Sequence, residues 1–191
     1  LKDGDVDPYR MGVVVGSGAG GFDTVEKNFN TLYARGPGRC SPFMVPMISA
    51  NMASGWVSIT NNARGPSSCA VTACATSASA VGEAYRILER GDADVMLAGG
   101  SDACITSLGM AGFTSARALS ACNDEPEAAS KPFDLSRDGF VIAEGATVLV
   151  LESMEHAKKR GATIYAELVG FGQTNDAHDI VMPREDGEGA A

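Results

Sequence analysis

Residues 65–91 read GPSSCAVTACATSASAVGEAYRILERG, and the fold follows from how this stretch is parsed. Gly65-Pro66 is a turn signal, and residues 67–73 have the character of a short small-residue strand. Residues 76–89 then read as a helix, with Val81, Tyr85 and Leu88 near one face and Gly91 as its C-terminal stop. Cys74 lies at the junction, flanked by Ala73, Ala75, Thr76, Ser77 and Ala78. Small residues on both sides allow a sharp strand-to-helix turn that leaves the thiol reachable. A helix N-terminus carries unpaired N–H groups and a partial positive charge, which favour an anion on the sulfur and can hold a developing oxyanion. Taken from spacing alone, Cys74 is either an activated nucleophile on such an elbow or a small residue at a tight turn.

Working outward, residues 12–16 (GVVVG) form a β-branched run expected as a buried strand. A glycine-rich loop, residues 17–21, leads into a helix over 23–34 with Asp23 or Thr24 as its cap. Gly36-Pro37-Gly38 ends that helix, and Pro42 and Pro46 bracket a linker. Residues 49–62 are expected as a helix whose apolar face is drawn from Met47, Ile48, Met52, Trp56 and Ile59. On the other side, residues 94–99 (DVMLAG) read as a second buried strand and 120–137 as a polar loop. Residues 140–152 read as a long strand, 153–160 as a helix ending at Gly161, and 164–172 as a further strand. Strands alternating with helices, several of them apolar on both faces, imply an α/β protein with a mostly parallel or mixed, well-covered sheet.

The remaining candidates are weaker. The run GSGAGG at 16–21 follows a strand and precedes a helix, as a dinucleotide fingerprint does. Its spacing is G-x-G-x-G-G, however, and no acidic residue closes a second strand about 20 residues later. It is better read as a loop where backbone passes close to a substrate or another chain. His156 sits on a charged helix face and is expected to be solvated, and His178 is expected in a surface loop. Neither is placed as a base for Cys74. The five cysteines are odd in number and form no CxxC, which argues against a disulfide framework or a zinc site. Cys69 is expected in the core, and Cys40, Cys104 and Cys122 in structural roles.

With 45% hydrophobic and 20% charged residues, the 191-residue chain can bury a sizeable core. A net charge of −9 argues against nucleic acid as a partner. No apolar run suggests a membrane span, and residues 1–5 show no leader pattern, so the expected location is the cytoplasm. Beginning at Leu1 and ending in Gly187-Glu188-Gly189-Ala190-Ala191, the sequence is expected to be a piece of a longer chain.

Several segments together carry a family resemblance. They are residues 65–77, GDADVMLAGG at 91–100, GFTSARALS at 112–120, ASKPFD at 129–134, RDGFV at 137–141 and YAELVGFG at 165–172. In order and over essentially the whole chain, these resemble the elongating β-ketoacyl-acyl-carrier-protein synthases. The resemblance implies a thiolase-like layered αβαβα fold, incomplete in this chain. Residues 1–150 would be the later part of the N-terminal half and 151–191 the start of a truncated C-terminal half. It implies a homodimer, an acyl carrier protein as partner, and no metal or nucleotide cofactor. It identifies Cys74 as the acyl-accepting nucleophile, with its own N–H as an oxyanion donor. Ala19, Met44, Ala73 and Phe113 would border the acyl pocket. Ala19 is its gate, and Met44 lies where a neighbouring subunit contributes. Arg39 and Arg117 would contact the acidic carrier protein at the mouth, and Asp176 matches an aspartate of structural character.

The chain also departs from the family. The family's two catalytic histidines and its lysine lie in motifs after residue 191, so the chain as given is expected to accept an acyl group but not to condense. Part of its core is expected to stand exposed. The run Ile180-Val181-Met182-Pro183 replaces a more usual polar run before that proline. Polyketide ketosynthases share most of these motifs, so the acyl substrate stays open between the two pathways. A non-catalytic partner built on the same fold is a third reading, and the presence of Cys74 speaks against its chain-length-factor form.

Overall fold

Val13, Val14 and Val15 are wholly or almost wholly buried, because the strand that carries them is covered on both faces. That strand, β1 (Met11–Gly16), is central in a four-stranded sheet of order β2-β1-β3-β4. The computed structural model describes residues 4–191; residues 1–3 of the segment read for a leader lie outside the described residues. Strands β2 (Ser67–Ser68) and β3 (Val95–Asp102) pair parallel to β1, and β4 (Gly145–Glu152) pairs antiparallel to β3. The sheet is therefore mixed, as the sequence pattern implies.

Side chains alternate along a strand, so β1 feeds two cores. Val14 points with Met96 and Ala98 toward α4 (Thr76–Glu89), where Ala80, Ala84 and Ile87 meet them. Val13 and Val15, with Val95 and Leu97, face Ala53 and Val57 of α3 (Met52–Asn61). These three layers are the fold's frame. The other helices are α1 (Phe22–Arg35), α2 (Met44–Ile48), α5 (Ser107–Ser115) and α6 (Met154–Lys159).

The helix expected over residues 49–62 is α3, Met52–Asn61, while Met47 and Ile48, expected on its apolar face, belong to the separate short helix α2. Its inward face is also not the expected one. Ala53, Ser54 and Val57 turn to the sheet, while Met47, Trp56 and Ile59 are 57–68% exposed. The strand expected over 67–73 pairs only at Ser67 and Ser68, because Ser54 of α3 takes the place of its continuation. The Ser54 hydroxyl, 1% exposed, accepts the Val15 N–H at 2.7 Å, and its proton faces the carbonyls of Ser68 at 2.6 Å and Val15 at 3.0 Å.

Other expectations need correction. Neither Asp23 nor Thr24 caps α1. The cap position is Gly21, Asp23 pairs with Lys27 at 2.6 Å, and Thr24 is buried. The strand over 140–152 begins only at Gly145, with Phe140 forming an isolated bridge to Leu119. Residues 164–172 join no ladder, and the Phe171 ring instead lies over Gly82 of α4. The helix α5 forms where the sequence pattern predicts no element. His156 is not solvated. It is 16% exposed, with Nδ1 at 2.8 Å from Glu152 and Nε2 at 3.1 Å from the Asp5 carbonyl. The expected uncovered core is seen on β4, where Val148, Leu149 and Val150 are 41–52% exposed.

Two predictions follow from this frame. Replacing Ser54 by Ala leaves buried Val15 and Ser68 groups unpaired, and should destabilise the fold by about 1–3 kcal/mol in denaturant melts. Glu152, whose side chain is 9% exposed, is held below the usual carboxylate range by Arg160 first and by His156 as well. A depressed folded pKa gives stability that is complete above the unfolded value, near about 4.3, and lost as pH falls through the folded one. Melting temperatures of Glu152→Gln should therefore approach those of the parent as pH falls below 4, while lying lower at neutral pH.

Candidate active site

Cys74 is exposed, whereas Cys40, Cys69, Cys104 and Cys122 are half-buried. It is the middle residue of a single 3-10 turn, Ala73–Ala75, that opens directly into α4. Ala73 holds φ at +49°, a left-handed conformation that costs a residue with a Cβ about 1–2 kcal/mol. The neighbours hold it there. Thr72 donates its N–H to the Thr76 hydroxyl at 2.9 Å, its own hydroxyl meets Ser79 at 2.8 Å, and its carbonyl accepts the Ala75 N–H at 3.0 Å. A sharp turn into the helix is thus present with Cys74 exposed on it, although the expected strand does not run into it, since β2 ends at Ser68.

Glycines bring the elbow close to the sheet. Gly16 and Gly100 stand opposite each other on β1 and β3. A Cβ on Gly16 would collide with the Thr76 methyl and sit 2.5 Å from the Ala70 carbonyl, and one on Gly100 would collide with the Ser77 hydroxyl. The first turn of α4 is seated in this hollow. Just beyond it, the 17–20 loop passes the elbow, with the Ala73 carbonyl 3.3 Å from a Cβ placed on Gly18.

That loop is held by Asp102, at the end of β3. One carboxylate oxygen accepts from the Ser17 hydroxyl at 2.9 Å and the Ala19 N–H at 3.1 Å, and the other accepts from the Gly18 N–H at 3.1 Å. The sequence pattern does not mark Asp102, because the loop it holds lies more than 80 residues earlier in the chain. Glu26 of α1 was missed as well. Its carboxylate accepts the Leu108 N–H at 2.8 Å at the start of α5, and this bond is the main cause of a pKa below the ordinary value.

The other sequence candidates are spread around this centre. Ala73 adjoins Cys74, and Ala19 is exposed on the loop. Phe113, on α5, stacks edge-on against Phe140 at 5.4 Å. Met44 is half-buried at the start of α2. A groove of about 880 Å³ is walled by Ser17, Gly20, Met47, Met52, Trp56 and Asp102 among others, and Ala19, Met44, Ala73, Cys74 and Phe113 do not share it; a smaller cavity of about 520 Å³ adjoins the elbow, between Thr72, Ala75 and Ser79 on one side and residues 171–175 on the other. Arg39 and Arg117 are both exposed, and Arg117 has φ +54°. Asp176 accepts the Arg184 N–H at 3.0 Å and so ties the last loop together. His178 is exposed, and both His156 ring nitrogens are engaged, by Glu152 and by the Asp5 carbonyl. Among the described residues no three His, Cys, Asp or Glu side chains gather as a metal site.

The profile of the family described as "Beta-ketoacyl synthase, N-terminal domain" matches residues 1–157. The chain belongs to the β-ketoacyl synthase family. Among relatives of known name, it is 52% identical over 97% of its length to 3-oxoacyl-[acyl-carrier-protein] synthase 2 of Synechocystis sp.. It is also 52% identical, over its whole length, to the protein of that name from Staphylococcus aureus. It covers 45% and 48% of those two proteins, so the chain spans about half the length of the curated relatives it matches. Among solved structures, a type II polyketide ketosynthase, in complex with its acyl-carrier protein and bound to the hexaketide, matches with a TM-score of 0.93. That match has 35% identity and covers 99% of this chain and 48% of that one. A β-ketoacyl synthase from Burkholderia phymatum matches with a TM-score of 0.84 at 37% identity, covering 93% of this chain and 44% of that one. The α/β layers of this chain are accordingly those of the thiolase-like ketosynthase fold.

For this β-ketoacyl synthase chain, limiting iodoacetamide at neutral pH should modify Cys74 first, by virtue of its exposure. Cys104 should be among the slowest, because burial raises its thiol pKa and the Asp102 and Glu144 charges push it further the same way. Peptide mass spectrometry over a time course checks both ends of this order. Equal modification of all five cysteines is the contrary result.

Proposed function

We propose that the chain is the nucleophile-bearing part of a 3-oxoacyl-[acyl-carrier-protein] synthase that elongates fatty acyl chains. The observation that carries this reading is the exposed Cys74 on a tightly held turn at the N-terminus of a 14-residue helix. In the proposed reaction the Cys74 sulfur attacks the thioester carbonyl of an acyl carrier protein. The carrier's thiol leaves, and the acyl group stays on Cys74. A malonyl carrier protein then loses carbon dioxide. The electron pair of the broken C–C bond forms the new bond to the acyl carbon, and the Cys74 sulfur leaves as thiolate. The product is a 3-oxoacyl carrier protein two carbons longer. The backbone N–H groups at the start of α4, that of Cys74 included, are suited to the transient oxyanion.

Residues outside the sequence given are assigned the handling of the malonyl group, in keeping with the half-length coverage of the relatives. In the same reading, residues 1–150 and 151–191 belong to the two halves of the fold. Arg39 and Arg117 offer exposed cations to an acidic carrier surface. Phe43, Val45, Met47, Trp56 and Ile59 leave an apolar face, 57–70% exposed, suited to a second copy in a homodimer. No helix among the described residues is long and apolar enough to cross a membrane, and the reading places the enzyme in the cytoplasm. Fatty acid elongation is preferred over polyketide synthesis because the relatives named 3-oxoacyl-[acyl-carrier-protein] synthase 2 are 52% identical, against 35% for the polyketide ketosynthase.

The test uses the full-length protein that contains this chain, supplied with acyl and malonyl carrier proteins. Formation of a 3-oxoacyl carrier protein with release of carbon dioxide is expected, and Cys74→Ala should lower its rate by at least about 10³-fold. Condensation that survives in the Cys74→Ala protein would falsify the assignment.

A further inference from the structure

We propose that Thr76 is a positioning residue that holds the Cys74 N–H in place for the oxyanion formed when Cys74 attacks a thioester; the inference rests on the ketosynthase reading above. In that attack the sulfur bonds to the carbonyl carbon, and the C=O electron pair moves onto oxygen. Its return expels the carrier's sulfur, which leaves as the thiol with the proton that Cys74 gave up, and the acyl group stays on Cys74. The turn closes by two main-chain bonds, from the Ala75 N–H to the Thr72 carbonyl and from the Thr76 N–H to the Ala73 carbonyl. Just before them, the Cys74 N–H meets no acceptor among the described residues. An unpaired N–H beside the sulfur is the donor that a developing oxyanion needs. Where it points is set by Ala73, whose φ of +49° persists only where the surroundings impose it.

Thr76 grips Ala73 from both sides. Its N–H holds the Ala73 carbonyl, and its hydroxyl accepts the N–H of Thr72, the residue before, at 2.9 Å. Thr76 is itself fixed, being 3% exposed with its methyl in the hollow that Gly16 of β1 leaves open. One side chain thus ties the turn to a central strand. Valine would fill the hollow but leave the Thr72 N–H without its oxygen, whereas serine keeps the oxygen and gives up the methyl. A second bond supports the first, since the Thr72 hydroxyl meets that of Ser79, one turn further along α4, at 2.8 Å.

Two reactions of the same sulfur separate this role from a merely structural one. Acyl transfer from the hexanoyl thioester of N-acetylcysteamine passes through an oxyanion, and displacement of iodide from iodoacetamide does not. Rate constants for both at Cys74 are read by peptide mass spectrometry on the full-length protein. The parent is compared with Thr76→Val, Thr76→Ser and Thr72→Val, with thermal melts alongside. The acylation-to-alkylation ratio should fall about tenfold in Thr76→Val, the scale of a misplaced donor, and much less in Thr76→Ser. An unchanged ratio in Thr76→Val, a parallel fall of both rates, or an equal loss in Thr76→Ser overturns the inference. Should Thr76→Val not fold, Thr72→Val decides. It removes only the bond to Ser79, so the ratio should fall by a smaller factor, and an unchanged ratio there is equally fatal. A parent protein whose Cys74 takes an acyl group neither from this thioester nor from an acyl carrier protein sinks the ketosynthase reading and this inference with it.

Discussion

The close approach of α4 to the sheet, permitted by two facing glycines, is the constraint on which the rest of the structure depends. Gly16 and Gly100 are register partners on the two central strands, and neither has room for a Cβ. Thr76 and Ser77 occupy the space those atoms would take. This fixes the depth of the helix N-terminus, and Cys74, two residues before Thr76, inherits its position from it. The C-terminal half of the same helix packs Ala80, Ala84 and Ile87 against Val14, Met96 and Ala98. One helix therefore serves both ends of the design, with its apolar side anchoring the core and its first turn presenting the thiol.

How much of this was legible in the sequence varies with the range of the interactions involved. The boundaries of α4 follow from local signals and are observed at Thr76 and Glu89 as read. β1 and β3 are recognisable because burial on both faces leaves an unbroken apolar run. The short β2 was overread, since its missing length is replaced by a serine on a helix that the local pattern does not connect to it. Residues 164–172 have strand composition but no neighbouring ladder, and pairing is a property of the partner as much as of the segment. His156 was misplaced for a related reason. Its helix is charged on the face that sequence shows, yet Glu152 and the Asp5 carbonyl draw the ring inward. At the site, Cys74 was legible from its flanking residues. Asp102 was not, because its donors are more than 80 residues away in the chain.

The periphery shows what the frame leaves open. β4 is paired on one side only, and its Val148, Leu149 and Val150 remain substantially exposed. A long apolar edge of this kind is a pairing and aggregation hazard when nothing covers it. Trp56 and Ile59, on the outer side of α3, are exposed for the same physical reason: their helix is apolar on more than its sheet-facing stripe. Together these surfaces are larger than scattered apolar residues would give. In the function proposed above, these apolar faces would serve assembly and the thiol end would serve chemistry.

Charge sets the last condition. At −9 the chain as a whole would repel an acidic partner such as the carrier protein proposed above, so any attraction would come from local cations rather than from the overall field. Screening makes this workable, since at physiological ionic strength charges beyond about 8 Å are largely damped. Many of the other cations are engaged close at hand. Arg10 is bound to Asp94, Lys27 to Asp23, Arg86 to Glu89, Arg90 to Asp92, Arg160 to Glu152 and Arg184 to Asp186. A cation already neutralised by a neighbour adds little to the field that an approaching anion feels. Arg39 and Arg117 enter none of these ion pairs and both end exposed turns, and Arg35, Arg64, Lys131, Arg137, Lys158 and Lys159 are likewise absent from them. An acidic partner guided by short-range attraction would thus be drawn to cations of this second group rather than to those already neutralised by a neighbour.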